Sequence, residues 1–477
     1  MNEATHPIDL SAFVKTYDVR GLVGTQLTDE VMAALGAAFV DEVDACDSEI
    51  VIGHDMRDSS PGFAAAFAHG AQTRGAHVVM IGLCSTDETY YASGVLDAPA
   101  AMFTASHNPA SYNGIKMSRA GAQGISMDTG LRDIRDGAAR YLAEGIRAVP
   151  APGGQRELDV LPGYAGYLRE LVDLRGVRPL TIVVDAGNGM GGLTVPAVLG
   201  TAAGLPELPL TIIPLYFELD GTFPNHEANP LDPANLVDLQ AAVLQHGADL
   251  GLAFDGDADR CFVIDEKGDP VTPSAVAAVV AVREIARARA AEPDAAEISV
   301  IHNLITSRYV PEAISAAGGV PVRTRVGHSL IKDEMAATGA IFGGEHSAHY
   351  YFRDFWGADN GMLAAMHLLA EFGAQPRPLS VFADHYNPYF QSGEINSTVT
   401  DVGAAYSRIV EAYASIGSFD ELDGLTVTST GTDDDNFWWF NVRPSNTEPL
   451  LRLNVEAANP QQLAAVRDRV LKLIRGR

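Results

Sequence analysis

Short apolar runs rich in β-branched residues alternate along this chain with Ala-rich stretches of helical character. The runs fall at residues 50–52, 78–81, Ala100–Phe103, 181–184, 211–215, Leu250–Phe254, 298–302 and 340–342. This alternation predicts repeated βα units folded into mostly parallel sheets. Breaks fall at 150–154, near 268–273, and around 375–378, where Pro376 and Pro378 disfavour regular structure. Past the last break the pattern changes. Residues 451–455 alternate apolar and polar positions, and the tail reads as α+β.

Three of the predicted strands run directly into polar loops. Ala100–Phe103 leads into Thr104-Ala105-Ser106-His107-Asn108-Pro109. Leu250–Phe254 leads into Asp255-Gly256-Asp257-Ala258-Asp259-Arg260, and the strand at 340–342 into Gly343-Gly344-Glu345-His346-Ser347-Ala348-His349. Open α/β sheets bind ligands beyond the carboxyl ends of their strands, so three successive domains are each expected to offer one loop to a shared cleft. A fourth polar segment, Asn441 to Pro449, lies in the α+β tail.

The Asp cluster carries the most chemistry. Three carboxylates alternate in five residues, and like charges so close repel unless a cation holds them. Hard divalent ions such as Mg²⁺ take oxygen ligands of this kind, and a metal beside an anionic site serves phosphate chemistry. Asp255, Asp257, Asp259 and Glu266 match positions one, three, five and twelve of a calcium-binding EF-hand loop. Arg260, however, occupies the sixth position, where the turn needs Gly, and the flanks read as strands, so the EF-hand reading fails.

Composition narrows the class. At roughly 100–200 residues per domain, 477 residues make about three or four domains. The formal net charge of −28 argues against general nucleic-acid binding, while a few local Arg and Lys with a cation still permit a small anionic substrate. Cys46, Cys84 and Cys261 show no pairing pattern, as expected in a reducing compartment. Residues 1–11 have no basic segment followed by an apolar one, and no run is long enough to span a bilayer. A cytoplasmic protein with no membrane or nucleic-acid partner is expected.

The remaining motifs are weaker singly. Ser106 next to His107 suits a turn or cap as well as a nucleophile, and gains weight only beside a metal site. Arg443, Ser445, Asn446 and Thr447 join a guanidinium to small hydrogen-bonding groups, a set suited to phosphate, with Arg452 one strand position further on. Glu345, Ser347 and His349 alternate and would face one way in an extended loop, where they suit vicinal sugar hydroxyls. His328, after Gly327, is a structural histidine, a phosphate contact or an acid–base group. Gly187, Gly189 and Gly192 follow a predicted strand in the spacing of a dinucleotide fingerprint, with Glu218 or Asp220 as late ribose carboxylates. A NAD-dependent dehydrogenase is thus the rival reading, and close packing at a tight βα turn is the favoured one.

Together, four loops in this order resemble the α-D-phosphohexomutase superfamily over nearly the whole chain. The resemblance implies three consecutive α/β mixed-sheet domains, 1–153, 154–268 and 269–385, and a C-terminal α+β domain, 386–477, around one central cleft. It implies Ser106 as the phosphoserine, with Asp255, Asp257, Asp259 and a phosphoserine oxygen holding Mg²⁺. Glu345, Ser347 and His349 then read the sugar hydroxyls, and Arg443, Ser445, Asn446 and Thr447 grip the phosphate that is not reacting. Tyr17 and Arg20 match an N-terminal active-site motif, Lys116 and His328 match positions near the reacting phosphate, and Arg260 follows the metal loop. The implied reaction is reversible phosphate transfer between the 1- and 6-hydroxyls of an aldohexose phosphate, mannose foremost and glucose as the alternative. It passes through a hexose 1,6-bisphosphate, on a monomer or dimer whose partner is a small-molecule sugar phosphate. Lys116 and His107 are the candidates for polarising or proton-moving groups. Two departures stand out: Ala258 where many members have Gly, and Glu-His-Ser-Ala-His in place of Glu-Met-Ser-Gly-His.

Overall fold

The computed structural model describes residues 8–294, 297–431, 436–444 and 450–476, and for residues 328 and 329 the backbone alone. The described strands form four sheets, one after another along the chain. In the first, Glu49–His54, His77–Leu83 and Ala100–Phe103 run parallel, while Tyr112–Arg119 returns antiparallel against Ala100–Phe103 and pairs onward with Val19–Leu22. Gln155–Glu157 adds to the far edge of this sheet, which therefore runs on past Gly154.

The second sheet has Leu250–Phe254 parallel to Leu180–Asp185, itself parallel to Leu210–Leu215, with Cys261–Asp265 returning antiparallel. The third repeats the plan. Phe342–Gly344 runs parallel to Ser299–Asn303, and Tyr350–Phe352 returns antiparallel against it. The expectation of mostly parallel sheets is thus corrected to mixed ones. Parallel neighbours need a long crossover, whereas each polar loop turns the chain back within a few residues, which forces an antiparallel partner. The three chemically loaded loops consequently sit at the same place in three sheets, at the bend between a buried parallel strand and its return.

The fourth sheet is antiparallel throughout, centred on Trp438–Pro444 and Leu450–Ala457, and covered by helices Val402–Tyr413 and Pro460–Arg475. Buried apolar side chains of the second and third sheets merge into one core, with a small separate cluster at Ile301 and Tyr351 on the third, while the first and fourth keep cores of their own. Each strand that feeds a loop is fully buried, so the loops are anchored on rigid elements. Among the described residues no helix is long and apolar enough to cross a membrane.

Candidate active site

Ser106 stands at the bend after Ala100–Phe103 in a left-handed backbone conformation, φ +48°, and is 4% exposed. Such a conformation costs a non-glycine residue energy and persists only where neighbours hold it. The neighbours are identifiable. Thr104 Oγ1 accepts from the Ser106 amide at 2.9 Å. The buried Arg57 guanidinium donates to the carbonyls of Ser106, Asn108, Pro109 and Tyr112 at 2.7–3.0 Å. Ser106 Oγ donates to Asp255 Oδ2 at 2.9 Å and lies 3.3 Å from His107 Nδ1.

The Asp loop bridges Leu250–Phe254 and Cys261–Asp265, and its three carboxylates are buried. One oxygen from each lies within 4.8 Å of the others. Burial pushes the Asp255 carboxyl up to about 7, against the pull of Arg260 and with help from Asp259 and Asp257. Burial would raise Asp257 too, but the Lys116 charge and the hydrogen bonds from Lys116 and Thr86 hold it well below the usual range. Lys116 Nζ donates to Asp257 Oδ2 at 2.6 Å and also to Asp259, and these carboxylates outweigh burial to keep it protonated. Thr86, at the start of helix Thr86–Leu96, donates its hydroxyl to Asp257 Oδ2 at 2.6 Å.

Asp257 Oδ1 and Asp259 Oδ1 are buried and have no hydrogen-bond partner among the described residues. Two orphaned carboxylate oxygens in a three-carboxylate cradle fit a hard divalent cation, since left unpaired they are costly to bury. Arg260 closes the other side. It donates from Nε and Nη2 to Asp255 Oδ2 at 2.8 and 2.7 Å, and from Nη2 to His107 Nδ1 at 2.6 Å. Burial and the Arg260 charge hold the His107 imidazole well below its ordinary pKa, so it is neutral and its Nδ1 lone pair is engaged.

The glycine turn after Leu180–Asp185 supports this loop from below. Met190 N donates to the Gly256 carbonyl at 2.9 Å, and a Cβ on Gly189 would stand 2.7 Å from the same oxygen. A Cβ on Gly192 would lie 2.2 Å from the Phe217 carbonyl. The turn therefore has the glycines that close packing requires.

A cavity of about 300 Å³ opens in front of these groups. Of the residues singled out in the sequence, Tyr17, Arg20, Ser106, His107, Lys116, Asp259, Arg260 and His349 line it. Arg20 reaches Asn108 Oδ1 and Asp18 Oδ2, each at 2.6 Å. Gly327, at φ +142°, lies against the Tyr17 hydroxyl. Glu345, Ser347 and His349 do come together, but through a tight turn rather than an extended alternation. Ala348, at φ +66°, bends the loop, and Ser347 Oγ lies 3.0 Å from His349 Nδ1. The Glu345 carboxylate accepts from Tyr351 OH at 2.9 Å, Asn303 Nδ2 at 3.1 Å and the Gly327 amide at 3.4 Å.

Arg443 and Arg452 face each other across two strands of the C-terminal sheet, outside the cavity lining. Ser445, Asn446 and Thr447, and the His328 side chain, lie outside the described residues. Sequence reasoning missed Lys332 and Asp359. They form a buried 2.7 Å ion pair on the cavity wall, with the Lys332 ammonium 4.1 Å from the Tyr90 ring centre. Lys332 lies four residues after His328 on one helix, a spacing that offered a signal. Asp359 follows an aromatic strand and offered none.

Comparison with known proteins agrees with this geometry. The four domain models of the phosphoglucomutase/phosphomannomutase family match in order: alpha/beta/alpha domains I, II and III at residues 12–141, 162–268 and 273–389, and the C-terminal domain at 394–473. The chain belongs to this family of sugar-phosphate mutases, intramolecular phosphotransferases of the isomerase class. It is 38% identical to the "Phosphohexose mutases" of Xanthomonas campestris over 98% of this chain and 100% of that one. It is 36% identical to a "Phosphomannomutase" of Salmonella typhimurium over 96% and 97%. Among solved structures, a phosphoglucomutase/phosphomannomutase family protein of Burkholderia thailandensis superposes with a TM-score of 0.84 at 29% identity, covering 97% of this chain and 98% of the other.

Proposed function

We propose that the chain catalyses the reversible interconversion of mannose 6-phosphate and mannose 1-phosphate, through a phosphoserine at Ser106 and a hexose 1,6-bisphosphate, with some activity on glucose phosphates. The observation that carries this reading is the meeting of Ser106 Oγ with Asp255 at 2.9 Å, beside two orphaned carboxylate oxygens and one open cavity. Relatives named as phosphomannomutases, at 35–36% identity over nearly the full chain, support the manno assignment.

In this reading Asp255, Asp257 and Asp259 hold Mg²⁺, which when bound neutralises charge on the phosphoryl oxygens. The free sugar hydroxyl attacks phosphorus on phospho-Ser106. The new sugar–oxygen–phosphorus bond forms, the Ser106 Oγ–phosphorus bond breaks, and the hydroxyl proton ends on Ser106 Oγ. Reversal at the other end of the turned bisphosphate restores phospho-Ser106. Lys116, held as a cation, stabilises charge rather than removing a proton. His107, neutral and already accepting from Arg260, positions that guanidinium and the serine. Glu345, Ser347 and His349 serve the sugar hydroxyls, and Arg443 with its loop takes the non-reacting phosphate.

Phosphorus NMR of the purified protein with Mg²⁺ and a trace of hexose 1,6-bisphosphate tests this. Mannose 1-phosphate should convert to the 6-phosphate faster than glucose 1-phosphate does. Release of free phosphate instead of isomerisation would overturn it.

A further inference from the structure

Arg443 and Arg452 are directly opposed partners on neighbouring antiparallel strands. Like charges so placed repel and destabilise the pair unless something stands between them. Glu394 does. Its Oε2 lies 2.9 Å from Arg443 Nη2, and its Oε1 lies 3.3 Å from Arg452 Nη1. One carboxylate thus spans both guanidinium groups, with an oxygen for each.

The position of Glu394 is built into the backbone. Two residues earlier, the Ser392 amide donates to the Val455 carbonyl at 2.9 Å, and Ser392 Oγ accepts from the Val455 amide at 3.0 Å. One residue later, Ile395 pairs with Leu453 and Asn396 with Arg452. The chain on both sides of Glu394 is therefore held against the strand that carries Arg452. It is also accessible: the Glu394 and Arg452 side chains are each 31% exposed. Arg443, 13% exposed, keeps a buried Nε with no hydrogen-bond partner among the described residues. The trio carries a net charge near +1 rather than +2, with donor capacity on Arg443 not yet used.

This arrangement matters if Arg443 takes a substrate phosphate, the reading proposed above, on which the inference rests. A mutase has a conflict at such a subsite. It must hold one phosphate while the other reacts, then let it go so that the bisphosphate can turn around. An unscreened arginine pair would hold a phosphate tightly through paired charged hydrogen bonds. We propose that Glu394 competes with the substrate phosphate for Arg443 and Arg452, so that the grip stays weak enough for the intermediate to reorient. An arriving phosphate displaces the carboxylate or shares the guanidinium groups with it, and the carboxylate returns as the phosphate leaves.

The test is Glu394→Gln, which keeps the shape and removes the charge. Three quantities are read: inhibition by inorganic phosphate, KM for mannose 1-phosphate, and kcat. The inhibition constant and KM should both fall, by about threefold or more for a partly exposed charge pair, while kcat falls as well. Raised salt should narrow the difference from wild type. A merely structural Glu394 would give the opposite sign, a higher KM. Glu394→Asp, which keeps the charge but draws it back from both arginines, should tighten phosphate binding less than the Gln variant. Tighter binding with Asp than with Gln, or unchanged or weakened binding in the Gln variant, overturns the inference. Arg443→Ala separates the two claims. If it raises KM while Glu394→Gln fails to lower it, the phosphate reading stands and the competition falls. If it leaves KM unchanged, the phosphate reading falls and takes the inference with it.

Discussion

Arg57 Nη2 donates to the carbonyl of Ser106 at 2.8 Å, and the same guanidinium holds the carbonyls of Asn108, Pro109 and Tyr112. A side chain 2% exposed thus fixes both limbs of the loop that carries Ser106. Its own charge is balanced by Asp55, 3.2 Å away. Arg57→Ala leaves Asp55 buried and uncompensated and should destabilise the fold by about 3–5 kcal/mol. Arg57→Lys keeps the charge but lacks the planar fork. It should remain folded and lose about a hundredfold in kcat, the cost of moving Ser106 by about 1 Å if it is the reacting group proposed above. Denaturant unfolding and steady-state kinetics on the two variants check this. A lysine variant with normal kcat would show that the clamp is dispensable.

Gly256 gives a second test of how the Ser106 and Asp255 loops fit together. A Cβ there would stand 2.4 Å from the Ser106 carbonyl oxygen. Backbone cannot yield as a side-chain tip can, so the two loops must separate. Gly256→Ala should destabilise by roughly 1–3 kcal/mol, as overpacking does, and reduce kcat far more than a Gly62→Ala control. Nothing lies within 4 Å of the Cβ at Gly62. Equal kinetics in the two variants would mean that the loops tolerate separation.

These contacts also mark where the sequence stops being readable. The strands Ala100–Phe103 and Leu250–Phe254 were legible to the residue, because an unbroken apolar run between polar loops has one reading. The Asp trio stood out because three carboxylates alternate in five residues, whereas Ser106 gained weight only when set beside them. The return strand Tyr112–Arg119 was not, since its Gly114, Lys116 and Ser118 hide any apolar run. Its identity is imposed by pairing with Ala100–Phe103. Arg57 escaped because it binds carbonyl oxygens, which every residue has, so no partner motif advertises it. Asp359 escaped because it meets Lys332 only after the third sheet closes. The Glu345 loop was read only on the condition of an extended backbone, because alternation is visible in sequence, whereas the left-handed turn at Ala348 is not.

Glu88 predicts a pH dependence of stability. It completes the capping box of helix Thr86–Leu96, where its carboxyl accepts from the Ser85 amide at 3.0 Å. Burial, opposed by those Ser85 hydrogen bonds, pushes its pKa up to about 8 from an ordinary value of 4.5. Between these values the folded protein holds a proton that the unfolded chain has released. The associated stability is complete below the unfolded pKa and is lost as pH rises through the folded one. Glu88→Gln keeps the acceptor and cannot ionise. Its stability relative to wild type should therefore rise steadily from pH 5 to pH 8.5 in urea unfolding. A constant difference across that range would show that Glu88 is already ionised in the fold.

The orphaned oxygens of Asp257 and Asp259 predict a binding measurement independent of turnover. A cation that binds only the folded protein stabilises it by about 2.7 kcal/mol at a concentration one hundred times its dissociation constant. Mg²⁺ should accordingly raise the melting temperature of the wild type in a concentration-dependent way, and chelation should reverse the rise. Asp259→Asn removes one charge of three while Lys116 keeps its 2.6 Å contact with Asp257. Its metal-free melting temperature should stay near that of the wild type, because a repulsive neighbour is lost along with an attractive one. The Mg²⁺-dependent rise should disappear. Asp257→Asn should lose the rise too, and should also melt lower without metal, since Thr86 and Lys116 both donate to that carboxylate. If Asp259→Asn kept the full Mg²⁺ shift, the cation would have to sit elsewhere, and the three carboxylates would be held together by protein donors, Lys116, Arg260, Thr86 and Ser106.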